Sequence, residues 1–395
     1  MGALLADGEI LLISDDSRMP KLLMVSPYYA SHDGGVERVA LQLAEGLPHQ
    51  GWKVTWIASG GIDAMDAAQD GSGWAARPAP AFNAVEKRTG VPFPLWGLRA
   101  LRQLWVESGL ADVVMVHESL YVPSMFAVIV ARLRRRPVLL VQHVGVVPYK
   151  QVVLRMILAA GNASWTRVIH ALARKIVYIS QGVMRHFEGE VPRTKSVLVP
   201  NGVDLTCFAP DGHHATNTHT DHVRPRILFV GRFVEKKGLD IIEALAKRHP
   251  ELDFLLAGNG PIQPDEWALP NVRLLGFLDA PRLAQQYQMA NLLLLPSHGE
   301  GFPLVVQEAM ATGLAPLVSD EIAFALPGVV DHVYHAPVAR DAHDLIDRWS
   351  ALLDHALIAE RDEQRARARA AFVRQCWSWE HCTATYDQLL RELRQ

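Results

Sequence analysis

Residues 21–59 read KLLMVSPYYASHDGGVERVALQLAEGLPHQGWKVTWIAS. Two apolar runs, KLLMVS and WKVTWIAS, flank a glycine-containing loop and a segment whose apolar residues recur at helical spacing from Val36 to Leu47. Gly51 then supplies a helix stop. Strands that are apolar throughout are typical of a parallel sheet covered by helices on both faces. The stretch therefore predicts a βαβ unit of a doubly wound α/β domain.

The same alternation continues along the chain. Further apolar runs are DVVMVH, PVLLVQH, KIVYIS and KSVLVP in the first half, and RILFVG, LDFLLAG, VRLLGFL, NLLLLPS and LAPLVSD in the second. Between the two sets lies a polar segment without periodicity, which indicates an interdomain linker. We therefore predict an N-terminal extension (1–18), a Rossmann-like domain (19–206), a linker (207–225), a second Rossmann-like domain (226–374) and a C-terminal helix (375–395) that packs back on the first domain.

Length and composition exclude several classes of protein. At about 150 residues per domain, 395 residues predict two or three domains. The chain is 49% hydrophobic and 21% charged with a net charge of -3, which argues against disorder and against nucleic acid as the main partner. The cysteines show no disulfide or metal-ligand spacing, the linker histidines lack other ligand residues, and the N-terminus does not resemble a signal peptide. No apolar run reaches the roughly 18 residues of a membrane span. We therefore expect a cytoplasmic protein without a metal site.

Two loops carry residues suited to binding an anion. Gly34 and Gly35 lie between the first strand and its helix, where they make either a tight turn or a backbone cradle for an anion. They do not form GxGxxG, which disfavours a nicotinamide cofactor. The run GRFVEKKG, residues 231–238, brings Arg232 and Lys237 to the carboxyl end of a strand. These two cations either clamp a diphosphate or remain solvated surface charge.

A third loop carries two carboxylates. Residues 297–313 read SHGEGFPLVVQEAMATG and follow the apolar run NLLLLP. Pro303 suits the first turn of a helix, which places Glu300 in the loop and Glu308 on the helix. Both carboxylates can accept hydrogen bonds from sugar hydroxyls, and the helix N-terminus beside them favours phosphate.

This arrangement resembles glycosyltransferase family 4, the retaining group with the GT-B architecture, in which two Rossmann-like domains face a central cleft. The resemblance extends from about Pro20 to the end of the chain. It rests on the Glu-x7-Glu pair with GRFVEKKG, LLAGNGP (255–261), LLGFL (274–278) and PNGVDLTCFAP (200–210), in that family's expected elements.

The resemblance implies a role for each candidate residue. The groups expected to act on the diphosphate and the donor sugar are Arg232, Lys237, Glu300 and His143. Other donor-binding residues are expected to be Gly35, Gly231, Gly258, Asn259, Gly276, Phe277, Leu278, Gly301, Phe302, Pro303, Leu304 and Glu308. His117 and Glu118, which end the run DVVMVH, are candidates for the acceptor side of the same crevice.

The resemblance also implies a reaction. A hexose of a UDP- or GDP-sugar is transferred with retention to a hydroxyl of a glycan or a lipid-linked acceptor, in polysaccharide or glycolipid biosynthesis. No cofactor or metal is implied, because Arg232 and Lys237 take the electrostatic role of Mg²⁺ and no Asp-x-Asp follows a strand. The alternatives are a non-catalytic sugar-nucleotide or carbohydrate-binding scaffold, and a GT-B epimerase or phosphorylase.

Two further features concern the acceptor and the donor sugar. Residues 119–187 contain ten Lys or Arg and no Asp or Glu, which favours either docking on an anionic membrane surface or a solvated basic face. The first interpretation makes the protein a peripheral enzyme on the cytoplasmic face of the membrane. After Asp320 the chain reads EIAFALPG, where the family usually has a Gly-Gly turn followed by an acidic residue.

Overall fold

The computed structural model describes most of the chain. The described residues are 19–32, 35–60, 73–82, 94–145, 165–210, 224–298, 303–325, 327–338 and 344–395. The predicted extension 1–18 and most of the predicted linker therefore lie outside them. Within the described part, no helix combines the length and apolar character needed to cross a membrane.

The first half of the chain forms a seven-stranded parallel sheet in the order β3-β2-β1-β6-β7-β8-β9. Its strands are β1 (Lys21–Tyr28), β2 (Lys53–Ser59), β3 (Trp74–Ala79), β6 (Val113–His117), β7 (Val138–Gln142), β8 (Lys175–Tyr178) and β9 (Ser196–Leu198). A short antiparallel pair, β4 (Ala81–Phe82) and β5 (Leu95–Trp96), lies beside it. The central strands are buried on both faces, as their unbroken apolar sequences predict.

Helices cover both faces of this sheet. One face packs against α1 (Gly35–His49) and the C-terminal helix α11 (Trp379–Arg394), whose Tyr386 and Leu390 are buried there. A hydrogen bond of 2.7 Å from Trp52 Nε1 to Asp387 Oδ1 fixes α11 in place. The other face carries α2 (Leu98–Leu110), α3 (Val122–Leu133), the helical segment 165–172 and α4 (Gln181–His186).

The second half forms a six-stranded parallel sheet in the order β12-β11-β10-β13-β14-β15. Its strands are β10 (Arg226–Val230), β11 (Asp253–Ala257), β12 (Val272–Gly276), β13 (Leu292–Leu295), β14 (Ala315–Ser319) and β15 (Tyr334–Ala336). The helices of this half are α5 (Leu239–Arg248), α6 (Ala280–Met289), α7 (Leu304–Ala311), α8 (Asp320–Ala323), α9 (Leu345–Ala359) and α10 (Glu363–Cys376). Both sheets are thus Rossmann-like, which confirms the predicted GT-B class.

Each sheet reverses its strand order once, between β1 and β6 and between β10 and β13. Ligands of doubly wound folds bind in the crevice outside the carboxyl ends of the strands at such a reversal. Candidate residues follow the strands at both reversals, with Gly35 after β1, Glu118 after β6 and Arg232 after β10, and the others follow neighbouring strands at the same sheet edges. One local prediction was off by one position: Pro303 lies directly before α7 as its N-cap rather than in its first turn. The fixed φ of proline suits either position.

Candidate functional site

Backbone hydrogen bonds join the loops at the carboxyl ends of β10, β11 and β12 into one surface. Gly231 N donates to Ala257 O at 3.0 Å, and Gly258 N donates to Gly276 O at 2.7 Å. Phe233 N donates to Asn259 O, also at 2.7 Å. The structure therefore brings together four of the predicted donor-binding residues, namely Gly231, Gly258, Asn259 and Gly276.

Two glycines in these loops are required by close backbone approach. A Cβ on Gly258, whose φ is +139°, would lie 1.9 Å from Gly231 O. A Cβ on Gly238, whose φ is +68°, would lie 2.2 Å from Pro296 O. Since His298 N also donates to Lys236 O at 2.9 Å, the short 3-10 turn Glu235–Lys237 lies against the loop that follows β13.

Arg232 and Lys237 lie in the loop after β10, beside these backbone contacts. Arg232 is exposed and Lys237 is half-buried. The stem of Lys237 passes Gly231, because a Cβ on that glycine would lie 3.5 Å from Lys237 Cε. Both cations belong to the loop leaving β10, next to a backbone cradle in which glycines leave space. An arrangement of this kind can hold an anionic group such as a diphosphate.

Glu308 is the one member of the Glu-x7-Glu pair that lies within the described residues. Its Oε2 accepts a hydrogen bond of 3.0 Å from the hydroxyl of the fully buried Tyr287. Burial raises the pKa of Glu308, while that hydroxyl and the charge of Arg38 lower it. Glu300 lies outside the described residues, as do Gly301 and Phe302.

The remaining donor-side predictions fall around β12 and α7. Gly276 is exposed with φ +68°, and the side chain of Phe277 is 68% exposed, so the backbone and the ring are both open to a ligand. Leu278 instead packs its side chain partly against the domain core. Pro303 is buried and Leu304 begins α7.

The first sheet contributes a buried pair of histidines. His117 ends β6 and His143 follows β7, and their Nδ1 and Nε2 atoms lie 3.2 Å apart. The two rings stack with centroids 5.4 Å apart. Burial lowers the pKa of His143 to about 3 and that of His117 well below its ordinary value, so both rings are neutral near pH 7. Nε2 of His117 is buried without a hydrogen-bond partner among the described residues.

Glu118 lies next to this pair but is fully buried. Its two carboxylate oxygens accept hydrogen bonds from Ser119 N, Gln142 Nε2, His143 N and Val144 N. The carboxylate is therefore bound to its own protein rather than open to an acceptor. The sequence placed Glu118 at the right strand end, but its partners could be identified only from the structure.

Gly35 begins α1 and is exposed at the carboxyl end of β1. A Cβ at this position would have nothing within 4 Å, so the protein itself does not require a glycine here. A ligand that approaches the helix N-terminus would require one.

Gly35→Ala separates these two possibilities. We expect the free energy of unfolding to change by less than about 1 kcal/mol, since alanine is the better helix former. If the donor approaches this residue, kcat/KM for transfer falls about 10–100-fold because the added methyl displaces it. Gly97→Ala is the matched control: Gly97 is the N-cap of α2, and its Cβ would also have open space. Equal activity of the two variants would remove Gly35 from the site.

Arg38 was missed by the sequence analysis. It is exposed in the first turn of α1, yet its charge acts on Glu308 in the other half of the chain. The sequence did contain a signal for it, because Arg38 is a cation only three residues after the predicted glycine turn. Nearby, Gln307 Nε2 donates to Asn201 O at 2.7 Å, so α7 contacts the segment that connects the two sheets.

The segment that departs from the family pattern also joins the two halves. Residues 320–323 form the short helix α8, and the carbonyls of the two residues that follow it accept hydrogen bonds from α4. Gln181 N donates to Ala325 O at 2.8 Å, and Arg185 donates to Phe324 O at 2.9 Å. This segment therefore contacts the first domain instead of forming a glycine turn.

The basic segment 119–187 is partly neutralised by acids from elsewhere in the chain. Arg167 pairs with Glu190 and Lys175 pairs with Glu392, each at 2.9 Å. Residues 146–164 lie outside the described part. Among the described residues no group of three His, Cys, Asp or Glu has the arrangement of a metal site.

Known proteins match the chain over both halves. A family model described as "Glycosyltransferase Family 4" matches residues 33–206, and one described as "Glycosyl transferases group 1" matches residues 224–355. A phosphatidyl-myo-inositol mannosyltransferase of Mycobacterium tuberculosis (strain H37Rv) is 27% identical, over 90% of this chain and 93% of its own length. A GDP-mannose-dependent alpha-mannosyltransferase of Mycolicibacterium smegmatis is 29% identical, over 54% of this chain and 56% of its own.

A solved structure shares the whole fold. Sucrose-phosphate synthase of Thermosynechococcus elongatus superposes with a TM-score of 0.68 at 20% identity, covering 95% of this chain and 99% of its own. The two matched family models cover successive parts of the chain that correspond to its two sheets. The chain therefore belongs to glycosyltransferase family 4, and it is a glycosyltransferase with the GT-B fold.

Proposed function

We propose that this protein transfers a hexose from a nucleoside-diphosphate sugar to a hydroxyl of a lipid-linked acceptor, with retention of the anomeric configuration. The observation that carries the proposal is the position of Arg232 and Lys237 beside the glycine loops of the second sheet. Glu308 lies on the helix that follows the next strand of that sheet, where it is suited to the ribose hydroxyls.

Catalysis of this reaction depends mainly on electrostatic stabilisation of the leaving group by the protein. The bond between the anomeric carbon and the phosphate oxygen breaks, and a bond from the same face to the acceptor oxygen forms. Arg232 and Lys237 stabilise the charge that develops on the departing diphosphate, and a phosphate oxygen takes the acceptor proton. Because two fixed cations fill this role, the proposal requires no metal. Glu118 is held by four donors and does not serve as a nucleophile.

GDP-mannose and a phosphoinositide-type lipid are the first substrates to test. Two relatives support this choice, since one is named for GDP-mannose and the other for mannosyl transfer to phosphatidyl-myo-inositol. UDP-sugars remain in the panel as the second donor class, because the site residues described above do not discriminate between the bases.

Thermal unfolding with a panel of GDP- and UDP-sugars, with and without EDTA, tests donor class and metal independence together. A ligand at a hundred times its dissociation constant adds about 2.7 kcal/mol to the free energy of unfolding. We expect one nucleotide series to raise Tm equally in both conditions. A shift that EDTA abolishes would contradict metal independence. A separate incubation of the donor without acceptor tests the epimerase alternative. Formation of an epimerised sugar nucleotide there would favour it.

We further propose that the enzyme docks on an anionic membrane through the outer surface of its first domain. This docking surface comprises the exposed apolar residues Trp105, Val106, Leu110 and Leu133 with the exposed Arg99, Arg102, Arg132, Arg134 and Arg135. It lies on α2 and the end of α3, and Arg134 stands 5.0 Å from the ring centre of Trp105. Apolar side chains between cations suit the boundary between headgroups and acyl chains.

Leu133→Glu tests the docking surface. We expect the fraction of protein that sediments with phosphatidylserine or phosphatidylinositol vesicles to fall, with binding weakened about five- to ten-fold, since the variant loses an apolar contact and gains a negative charge. Ile358→Glu in the second domain is the matched control, because the two residues are 65% and 66% exposed. Failure of the unmodified protein to sediment at low salt would remove the docking proposal.

A further inference from the structure

We infer that Tyr287 is a positioning residue of the donor site: its buried hydroxyl holds the carboxylate of Glu308 in the orientation that receives the ribose hydroxyls of a nucleotide. The inference rests on the proposed function, in which Glu308 binds that ribose. The contact between the two side chains stands on geometry alone.

The contact joins two helices of the second domain. Tyr287 lies on α6, between β12 and β13, and Glu308 lies on α7, between β13 and β14. The hydroxyl of Tyr287 donates to Oε2 of Glu308 at 3.0 Å. Within the part of the chain that the structure describes, no other group donates a hydrogen bond to this carboxylate. Tyr287 therefore sets the position of one carboxylate oxygen.

The phenol ring is fixed by the core of the second domain. Tyr287 is fully buried, and its ring meets that of the buried Phe208 edge-on, with centroids 5.9 Å apart. Because the core around the ring is closely packed, the hydroxyl has little freedom to move. Glu308 is only half-buried. The hydroxyl thus reaches the carboxylate from the protein interior, and the exposed part of the glutamate side chain is left for a ligand.

Helix α7 is held independently of Tyr287. Gln307, the residue before Glu308, is fully buried, and its Nε2 donates to Asn201 O at 2.7 Å. The backbone of Glu308 is therefore fixed, whereas its side chain has several rotatable bonds whose freedom must be restricted before it binds a ligand. Loss of the Tyr287 hydroxyl frees the carboxylate without displacing the helix.

The hydrogen bond also favours the form of Glu308 that accepts hydrogen bonds. Burial raises the pKa of Tyr287 well above its ordinary value, and the charge of Glu308 raises it further, so the phenol keeps its proton and donates it. This donation lowers the pKa of Glu308, against the effect of burial. An ionised carboxylate offers only acceptors, and ribose hydroxyls are the donors that match it.

Tyr287→Phe tests the inference, because it removes the hydroxyl and keeps the ring against Phe208. Isothermal titration calorimetry compares GDP with 2′,3′-dideoxy-GDP, which lacks both ribose hydroxyls, and UDP with its dideoxy form as the second pair. We expect the unmodified protein to bind the ribonucleotide of one pair about 30-fold more tightly than the dideoxy form, as for hydrogen bonds to a charged group. In Tyr287→Phe this ratio falls to about three-fold or less, while affinity for the dideoxy form changes less than about two-fold.

Tyr386→Phe is the matched control. Tyr386 lies on α11 in the first domain and is also fully buried, and its hydroxyl has no hydrogen-bond partner among the described residues. The variant therefore removes a buried phenol hydroxyl that holds no carboxylate. We expect it to keep the full preference for the ribonucleotide.

The possible failures are distinguishable. A preference in Tyr287→Phe equal to that of the unmodified protein would overturn the inference and leave the proposed function intact. An equal loss of affinity for both forms would also overturn it, because that pattern indicates general damage to the site. If the unmodified protein bound neither pair, the proposed function itself would be contradicted. If Tyr287→Phe does not fold, Phe208→Leu decides, since it loosens the Tyr287 ring and keeps the hydroxyl: an unchanged preference would then overturn the inference.

Discussion

Replacing Arg232 by alanine lowers kcat/KM for glycosyl transfer by about 10²–10³-fold, and Lys237→Ala does the same. Each variant removes one of the two cations at the carboxyl end of β10 that we propose to face the departing diphosphate. Loss of such a preorganised charge is felt most in the transition state, where the leaving group gains negative charge. Initial rates over a range of donor concentrations give kcat and KM separately for each variant.

Lys236→Ala is the matched control for both variants. Lys236 is exposed and lies in the same short turn as Lys237, and its backbone carbonyl accepts a hydrogen bond from His298 N, which alanine retains. We expect less than about a two-fold change in kcat/KM, typical of an exposed surface substitution. If Lys236→Ala lost as much activity as Arg232→Ala, the loss would reflect a change in general surface charge. It would then not support a diphosphate clamp formed by Arg232 and Lys237.

Gly258→Ala has the largest expected effect on the structure of the donor site. The added Cβ would lie 1.9 Å from Gly231 O at a φ of +139°, so the loops after β10 and β11 must separate. We expect the free energy of unfolding to fall by about 3 kcal/mol, from overpacking together with backbone strain. The melting temperature and the stabilisation by sugar nucleotide should both decrease, because the loops that we propose to hold the diphosphate move apart.

Gly189→Ala separates strain from overpacking. Its φ is +87° and a Cβ there would have nothing within 4 Å, so only the left-handed backbone is penalised. We expect a loss of about 1 kcal/mol and unchanged donor binding. The contradicting result is a Gly258→Ala variant that is as stable as Gly189→Ala and still binds donor. It would show that these loops separate at little cost, despite the hydrogen bonds between them.

The sequence predicted the elements of the fold well because its strands are unusually uniform. Runs such as VVMVH and LLLL are buried on both faces, and this burial determines their composition. The positions of two glycine loops were also predictable, because Gly231 and Gly258 directly follow β10 and β11. These signals are local, and the strand ends of a parallel sheet meet at one edge.

Contacts between distant segments could not be predicted in this way. The influence of Arg38 on Glu308 crosses from one half of the chain to the other, and no periodicity relates the two residues. The hydrogen bonds that the Glu118 carboxylate accepts from residues 142–144 depend on how two strand ends meet, which sequence alone does not define. Two cations of the basic segment, Arg167 and Lys175, likewise looked unpaired because their partners Glu190 and Glu392 lie outside it.

Product stereochemistry is the most direct measurement of the central claim. The protein is incubated with an α-linked GDP- or UDP-sugar and phosphatidylinositol vesicles, and the anomeric proton of the first product is followed by NMR, with Arg232→Ala as the inactive control. We predict transfer to the lipid with an α-configured product and release of the nucleoside diphosphate. A β-configured product, or no turnover of any donor in the panel by a folded protein, would contradict the account.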